Sequence, residues 1–153
     1  MQIRQAIEAD IGAVAQMWHV GWHQGHSAVV APELVALRTS AEFLARTRAH
    51  LAQTYVAERE GRMVGFFMIN GDELYQFYID PDLKGSGVAS EVMVHAEAAM
   101  SGRLANLACS VGNMRAAAFY RKSGWVHVST GPYVVETSAG PMTVQEWRFE
   151  KSL

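Results

Sequence analysis

Lys84-Gly85-Ser86-Gly87 is the stretch with the most explicit chemistry in this chain. A run rich in aromatic and apolar residues, Leu74 to Ile79, leads into it and reads as a strand. Asp80-Pro81-Asp82 ends that run, because Pro81 has no N–H to donate to a ladder. After the glycines, Val88, Ala89, Val92, Met93, Ala96 and Met100 recur at helical spacing. The order is therefore strand, turn, glycine loop, helix. Two glycines let the backbone approach a ligand closely. The N–H groups of a helix's first turn have no internal partner and point out of its start. With the Lys84 charge beside them, these donors suit a pyrophosphate.

Other arrangements are less specific. His19, His23 and His26 would share one helix face, a spacing that resembles a metal stripe. Gly21 and Gly25 interrupt that helix, however, and no carboxylate or cysteine lies close by in sequence, so no metal is expected. With Trp18 and Trp22, these histidines either border a pocket, where one could act as a base near neutral pH, or form a polar helix edge. Cys109, inside the apolar Leu107-Ala108-Cys109, reads as a small buried hydrophobe rather than a nucleophile. A P-loop is absent, and the dinucleotide fingerprint fails because its third glycine place is Ser90.

The elements that must position this loop follow from the rest of the chain. At 153 residues, 50% hydrophobic and 18% charged, it is expected to fold as one domain, 1–153, around a substantial core. A formal charge of −2 carries no nucleic-acid footprint. No apolar run reaches membrane-spanning length and the first residues lack a signal peptide's apolar core, so a cytoplasmic protein with no membrane partner is expected. One cysteine excludes an internal disulfide.

Ile3 to Ala6 predicts a short strand. Asp10 is placed to cap a helix from Ile11 to about Gln24, ended by Gly25. Helical zones follow from Pro32 and from Ser40 to about Ala52. Strands are expected over Thr54–Glu60, Met63–Asn70, Leu104–Ser110, Trp125–Thr130 and Thr143–Glu150, with a helix from Met114 to about Lys122 capped by Asn113. A loop is expected around Gly131-Pro132. The order β-α-α-β-β-β-α-β-α-β-β, with hairpins beside a βαβ unit, implies a mixed sheet with helices on its faces.

These features together resemble the GNAT superfamily of acetyl-CoA-dependent N-acetyltransferases. The family's loop motif is Gln or Arg, two free positions, Gly, one free position, then Gly or Ala. Lys84, Gly87 and Ala89 occupy its defined places. Lysine keeps the charge there but not the planar fork of arginine. Glu73 to Pro81 resembles the strand that enters this loop. Asn113, Ala117-Ala118-Phe119-Tyr120, Lys122 and Gly124-Trp125 resemble the family's later helix and its terminating glycine.

The resemblance implies an α/β (α+β) fold whose central sheet of six to seven strands splays into a V. It places the pantetheine arm of acetyl-CoA in that gap, paired with main-chain groups of Phe77 and Ile79 flanking Tyr78. The pyrophosphate would lie on Lys84 and on the loop formed by Gly85, Ser86, Gly87, Val88 and Ala89, with Asn113 touching the pantetheine. An amide near Ile79 would polarise the thioester oxygen. Tyr120, seven residues after Asn113 on one helix face, would hydrogen-bond the leaving thiolate. A phenol of pKa about 10 is a weaker acid than a thiol of about 8.5, so a tightening hydrogen bond or a depressed Tyr120 pKa is expected rather than early proton transfer. Glu73 stands where family members often keep an acidic base.

The expected activity is direct transfer of acetyl to a primary amine of a small molecule or peptide, in a ternary complex; a homodimer is compatible with it. The competing classes are a non-catalytic CoA-binding regulatory module and a modifier of protein or peptide N-termini. Acceptor choice falls to segments 20–52 and 130–142, where no acidic cluster announces a polycationic substrate.

Overall fold

The computed structural model describes every residue from Met1 to Leu153. The strands are β1 (Gln2–Gln5), β2 (Thr54–Arg59), β3 (Arg62–Asn70), β4 (Glu73–Ile79), β5 (Leu104–Ser110), β6 (Val126–Val135) and β7 (Met142–Ser152). The α-helices are α1 (Ile11–His26), α2 (Pro32–Leu37), α3 (Ser40–Ala49), α4 (Val88–Ala98) and α5 (Met114–Lys122). They build one seven-stranded sheet of order β1-β2-β3-β4-β5-β7-β6. All neighbours are antiparallel except β4 and β5. The mixed sheet with helices on its faces is thus the architecture the residue pattern implies.

Because side chains alternate along a strand, neighbouring residues feed two cores. Val56, Phe66 and Met68 join Val14, Trp18, Trp22 and Phe43 beneath α1 and α3. Ala57 and Phe67 join Val88, Val92, Met93 and Ala96 of α4 on the opposite face, with Ala117 of α5. No helix is long and apolar enough to cross a membrane.

Four local expectations are corrected. The three helical stretches before β2 are three separate helices, one more than the order β-α-α-β counts, since Thr39 caps α3 by accepting the Glu42 N–H at 3.2 Å, separating it from α2. Asp10 does not cap α1 with its side chain. Its carboxylate instead accepts from the Arg4 guanidinium at 2.8 and 2.9 Å and from the Ile7 N–H at 2.8 Å, which ties β1 to the turn before α1. The Arg4 bond holds the Asp10 carboxyl below its usual range. α1 passes through Gly25 to His26, so this glycine serves packing rather than termination. Finally, β6 runs through Gly131-Pro132, which is tolerated because β6 is an edge strand.

The site is created where β4 leaves β5. Met68 of β3 faces Gln76 and Ile69 faces Leu74, so Tyr75 is an extra residue in β4, a bulge. A bulge bends its strand and changes which face later side chains take. Accordingly Leu74 and Phe77, three apart, both join the α4 side, while Tyr75 and Tyr78 join the α1 side. Pairing between β4 and β5 is confined to Glu73 opposite Asn106. Beyond it the two parallel strands diverge, and the sheet opens into the expected V.

Candidate active site

The loop after β4 ends in a helix start that no side chain fills. Gly85 and Gly87 have φ of +77° and +86°, in the left-handed region that L side chains seldom adopt. Gly87 is the N-cap of the eleven-residue α4, and no side chain caps it. Of its first-turn amides, the Val88 N–H reaches the Ser86 hydroxyl oxygen at 3.4 Å, which leaves those of Ala89 and Ser90 to meet an anion. Lys84, Gly85 and Ala89 line the adjoining groove. Ser86 turns its hydroxyl inward to donate to the Leu83 carbonyl, and Val88 buries its side chain in the core. The Ser86 N–H donates to the Leu83 carbonyl at 3.2 Å and the Val88 N–H to the Ser86 hydroxyl oxygen, so of Ser86, Gly87 and Val88 only Gly87 keeps its amide unpaired.

That groove has a volume of about 560 Å³ and runs along the splayed end of β4. Phe77, Tyr78 and Ile79 form one wall, and Asn113, Ala116, Phe119 and Tyr120 the other. The Asp80 N–H donates to the Val64 carbonyl at 2.9 Å. By the alternation of an antiparallel ladder, Tyr78 then bonds toward β3 as well, and Phe77 and Ile79 turn their main-chain groups toward the gap. Asn113 caps α5, its Oδ1 accepting the Ala116 N–H at 3.4 Å.

α1 roofs the groove through Gly21 and Gly25. A Cβ at Gly21 would overlap the Tyr78 ring, and one at Gly25 would lie 2.9 Å from Asn113 Nδ2. Two glycines one turn apart let the helix settle onto β4 and α5. Gly21→Ala is expected to lower the melting temperature, because the overlap costs about 1–3 kcal/mol against a helix-propensity gain of about 1 kcal/mol. Gly12→Ala, in the same helix with nothing within 4 Å of its Cβ, is expected not to lower it. Thermal melts of the two variants check the contrast.

Behind the groove lies a smaller pocket of about 90 Å³. Phe77, Tyr78, Ala116 and Tyr120 border both spaces, so the two meet across the V. Tyr120 packs its ring against Phe119 and Phe149, at 5.8 and 5.9 Å between centroids. Burial, and then the nearby Cys109, Tyr78 and Glu146, push its hydroxyl far above the usual phenol range. The pKa of Tyr120 is thus shifted upward rather than depressed in the free protein, which favours a neutral hydrogen-bond donor. Burial likewise pushes the Cys109 thiol up to about 12, consistent with an inert core residue.

Glu146 of β7 lines the same inner pocket, a residue that sequence reasoning missed. Its Oε1 accepts from the Ser110 hydroxyl at 3.2 Å, while Oε2 is shut off from solvent without a partner. Burial raises its carboxyl to about 7, opposed by the Ser110 bond and reinforced by Glu73. The only sequence signal was a lone acid between Val144 and Phe149 in an otherwise core-forming strand.

Glu73 sits at the closed end of the V and lines neither the groove nor the inner pocket. Its Oε2 accepts from the Tyr133 hydroxyl at 2.9 Å, and Tyr133 does border the pocket, so Glu73 is one hydrogen bond removed. Burial raises its pKa too.

Of the histidines, only His26 lines the pocket. It stacks on Trp22 at 4.7 Å and its Nδ1 lies 2.8 Å from the Trp22 carbonyl, which makes Nδ1–H the donor. Burial lowers its pKa to about 4, so it is neutral at physiological pH. His23 Nε2 lies 2.7 Å from the Arg38 carbonyl and His19 Nδ1 lies 3.2 Å from the Ser40 hydroxyl. Nowhere do three His, Cys, Asp or Glu side chains converge as metal ligands would.

Residues 50–127, just over half of the chain, match the model of the acetyltransferase (GNAT) domain. The chain belongs to the GNAT acetyltransferase family. Among GNAT proteins, the peptidyl-lysine N-acetyltransferase YjaB of Escherichia coli strain K12 is 33% identical over 89 residues, 58% of this chain and 59% of that one. YjaB of Salmonella typhimurium strain LT2 is 32% identical over 62 residues, 40% of this chain and 41% of that one. The matched segments thus span less than two thirds of these relatives. The fold is shared with the crystal structure of a GCN5-related N-acetyltransferase from Rhodopseudomonas palustris, at TM-score 0.75 and 24% identity over 99% of this chain and 95% of that one. The PaiA N-acetyltransferase of Thermoplasma acidophilum, crystallised with coenzyme A, has TM-score 0.65 and 18% identity over 99% and 98% of the two chains.

Proposed function

We propose that this protein transfers acetyl from acetyl-CoA to a primary amine by direct attack in one ternary complex. The observation that carries this reading is the shared wall. A groove that begins at an unfilled helix start and follows free β4 main chain opens, at Tyr78 and Tyr120, into a pocket holding a buried carboxyl. Bound there, acetyl-CoA would supply an activated carbonyl whose C–S bond breaks as the amine's N–C bond forms.

The chain's residues divide the remaining work. The α4 amides and Lys84 hold the pyrophosphate. Phe77 and Ile79 pair with the pantetheine, which Asn113 positions, and a β4 amide near Ile79 receives the carbonyl oxygen. Tyr120 donates a hydrogen bond to the departing sulfur. Glu146 takes the proton from the amine. At a carboxyl pKa of about 7, proton transfer from an α-amine of about 8 is uphill by roughly 1.4 kcal/mol. From a lysine amine of about 10.4 it is uphill by roughly 4–5 kcal/mol.

Titration calorimetry with CoA, followed by thiol release in the presence of amines, tests the proposal. CoA binding without turnover of any amine would leave a binding module, and no CoA binding would end the reading. Lys84→Gln is expected to weaken CoA three- to tenfold at low salt, with a smaller effect at high salt. A peptidyl-lysine acceptor is the second reading, favoured by the name of the YjaB relatives. A panel of lysine peptides beside small amines separates the two.

A further inference from the structure

The inner pocket has a cationic end that the transfer chemistry does not use. Arg38 and Arg46 both line it, and both are buried, at 2% and 8% exposure. Arg38 has its counter-ion: Nη1 donates to Glu42 Oε1 and to the Glu136 carbonyl. Glu42 in turn accepts the Ser138 N–H at 2.9 Å, so that pair pins the β6–β7 connection over the pocket.

Arg46 has none. Its guanidinium lies 4.3 Å from the Trp18 ring centroid and donates one bond, from Nη2 to the Tyr75 hydroxyl at 3.1 Å. Nε and Nη1 have no partner, and no carboxylate forms an ion pair with it. A buried cation without a counter-ion is costly, and stacking on an aromatic face offsets only part of that cost. Two guanidiniums therefore meet one buried carboxylate at this end, leaving an excess positive charge. Glu146 lines the same pocket, whose walls mix apolar side chains, including Trp22, Leu34, Val135 and Val144, with the polar groups of His26, Gln76, Ser110 and Tyr133.

We propose that the acceptor carries a carboxylate as well as the amine, the carboxylate being received by the buried Arg46 and the amine facing Tyr120 and Glu146. The substrate class is a small free amino acid with an apolar body. A pocket of about 90 Å³ corresponds to roughly three waters at about 30 Å³ each, which limits the acceptor to a short molecule whose remainder extends into the adjoining groove past Tyr78 and Tyr120. The planar fork of arginine matches a carboxylate and turns an otherwise unbalanced charge into a specificity element. The proposal rests on the acetyl-transfer reading.

Its test keeps the two separable. CoA affinity, measured first by calorimetry, decides the underlying reading alone. Wild-type kcat/KM is then compared for matched sets: α-, β- and γ-amino acids with apolar bodies, their carboxamides, and the corresponding amines lacking the carboxyl. The acids are expected to exceed the amides about 10- to 100-fold, chiefly through KM. Arg46→Lys and Arg46→Met are expected to bring that ratio toward one, Met more than Lys, with CoA affinity retained. Independently of turnover, the Arg46 Nε–H resonance is expected to move on titration with L-leucine and not with L-leucinamide. Equal turnover of acids and amides, a ratio unchanged in Arg46→Met, or an Arg46 resonance indifferent to L-leucine would each overturn the proposal.

Discussion

Glu146→Gln is expected to lower kcat/KM for amine acetylation by about 100- to 1000-fold, the usual loss when a positioned general base is removed. In the wild-type protein kcat/KM is expected to rise with pH as Glu146 ionises around 7, and this acid limb to disappear in the variant. Glu73 raises the Glu146 pKa through its charge. Glu73→Gln therefore moves the limb to lower pH and leaves most of the rate, unless Glu73 itself is the base, in which case the two variants exchange behaviour.

Stability moves the opposite way. The folded carboxyl titrates at about 7 against an ordinary value of 4.5. Its contribution is thus full below the unfolded pKa and is lost as pH rises from about 4.5 through 7. Glu146→Gln cannot ionise, so its melting temperature relative to wild type increases between pH 4 and pH 8. Melts across that range, with steady-state rates on the same samples, give both readouts. A variant that loses rate only because it unfolds would melt below the assay temperature.

Tyr120→Phe is expected to lower kcat by about 10- to 100-fold while CoA affinity changes by less than threefold. The ring that packs against Phe119 and Phe149 is kept, and only the hydroxyl is lost. Since burial holds that hydroxyl protonated well beyond the working range, the loss is the same at pH 6 and pH 9. Acetyl thioester donors with a better leaving thiol should narrow the gap, because less charge then needs stabilising on sulfur. Unchanged turnover in Tyr120→Phe would remove the residue from the mechanism.

Much of this site was legible in the chain itself. The strand, proline turn, glycines and helix from Leu74 to Met100 are contiguous, so local rules place an anion-binding helix start there without any long-range contact. Asn113 and Gly124 bracket α5 for the same reason. What could not be read were features made by two distant segments meeting. Gly25 looked like a helix stop, and only the approach of Asn113 shows why a helix interior needs a glycine there. Asp10 looked like a cap, and only β1's Arg4 shows where its carboxylate goes.

The acceptor side shows the division most clearly. Sequence alone determined the glycine loop at the start of α4 and most of the order of strands and helices along the chain, because both depend on neighbours within a few residues. Tertiary structure decided that Tyr75 bulges β4 away from β5, and that Glu146, Arg46, Tyr133 and Tyr120, from four separate elements, border the space so opened. The chemistry of those side chains comes from burial and from unbalanced charge, and neither exists until the sheet has closed around them.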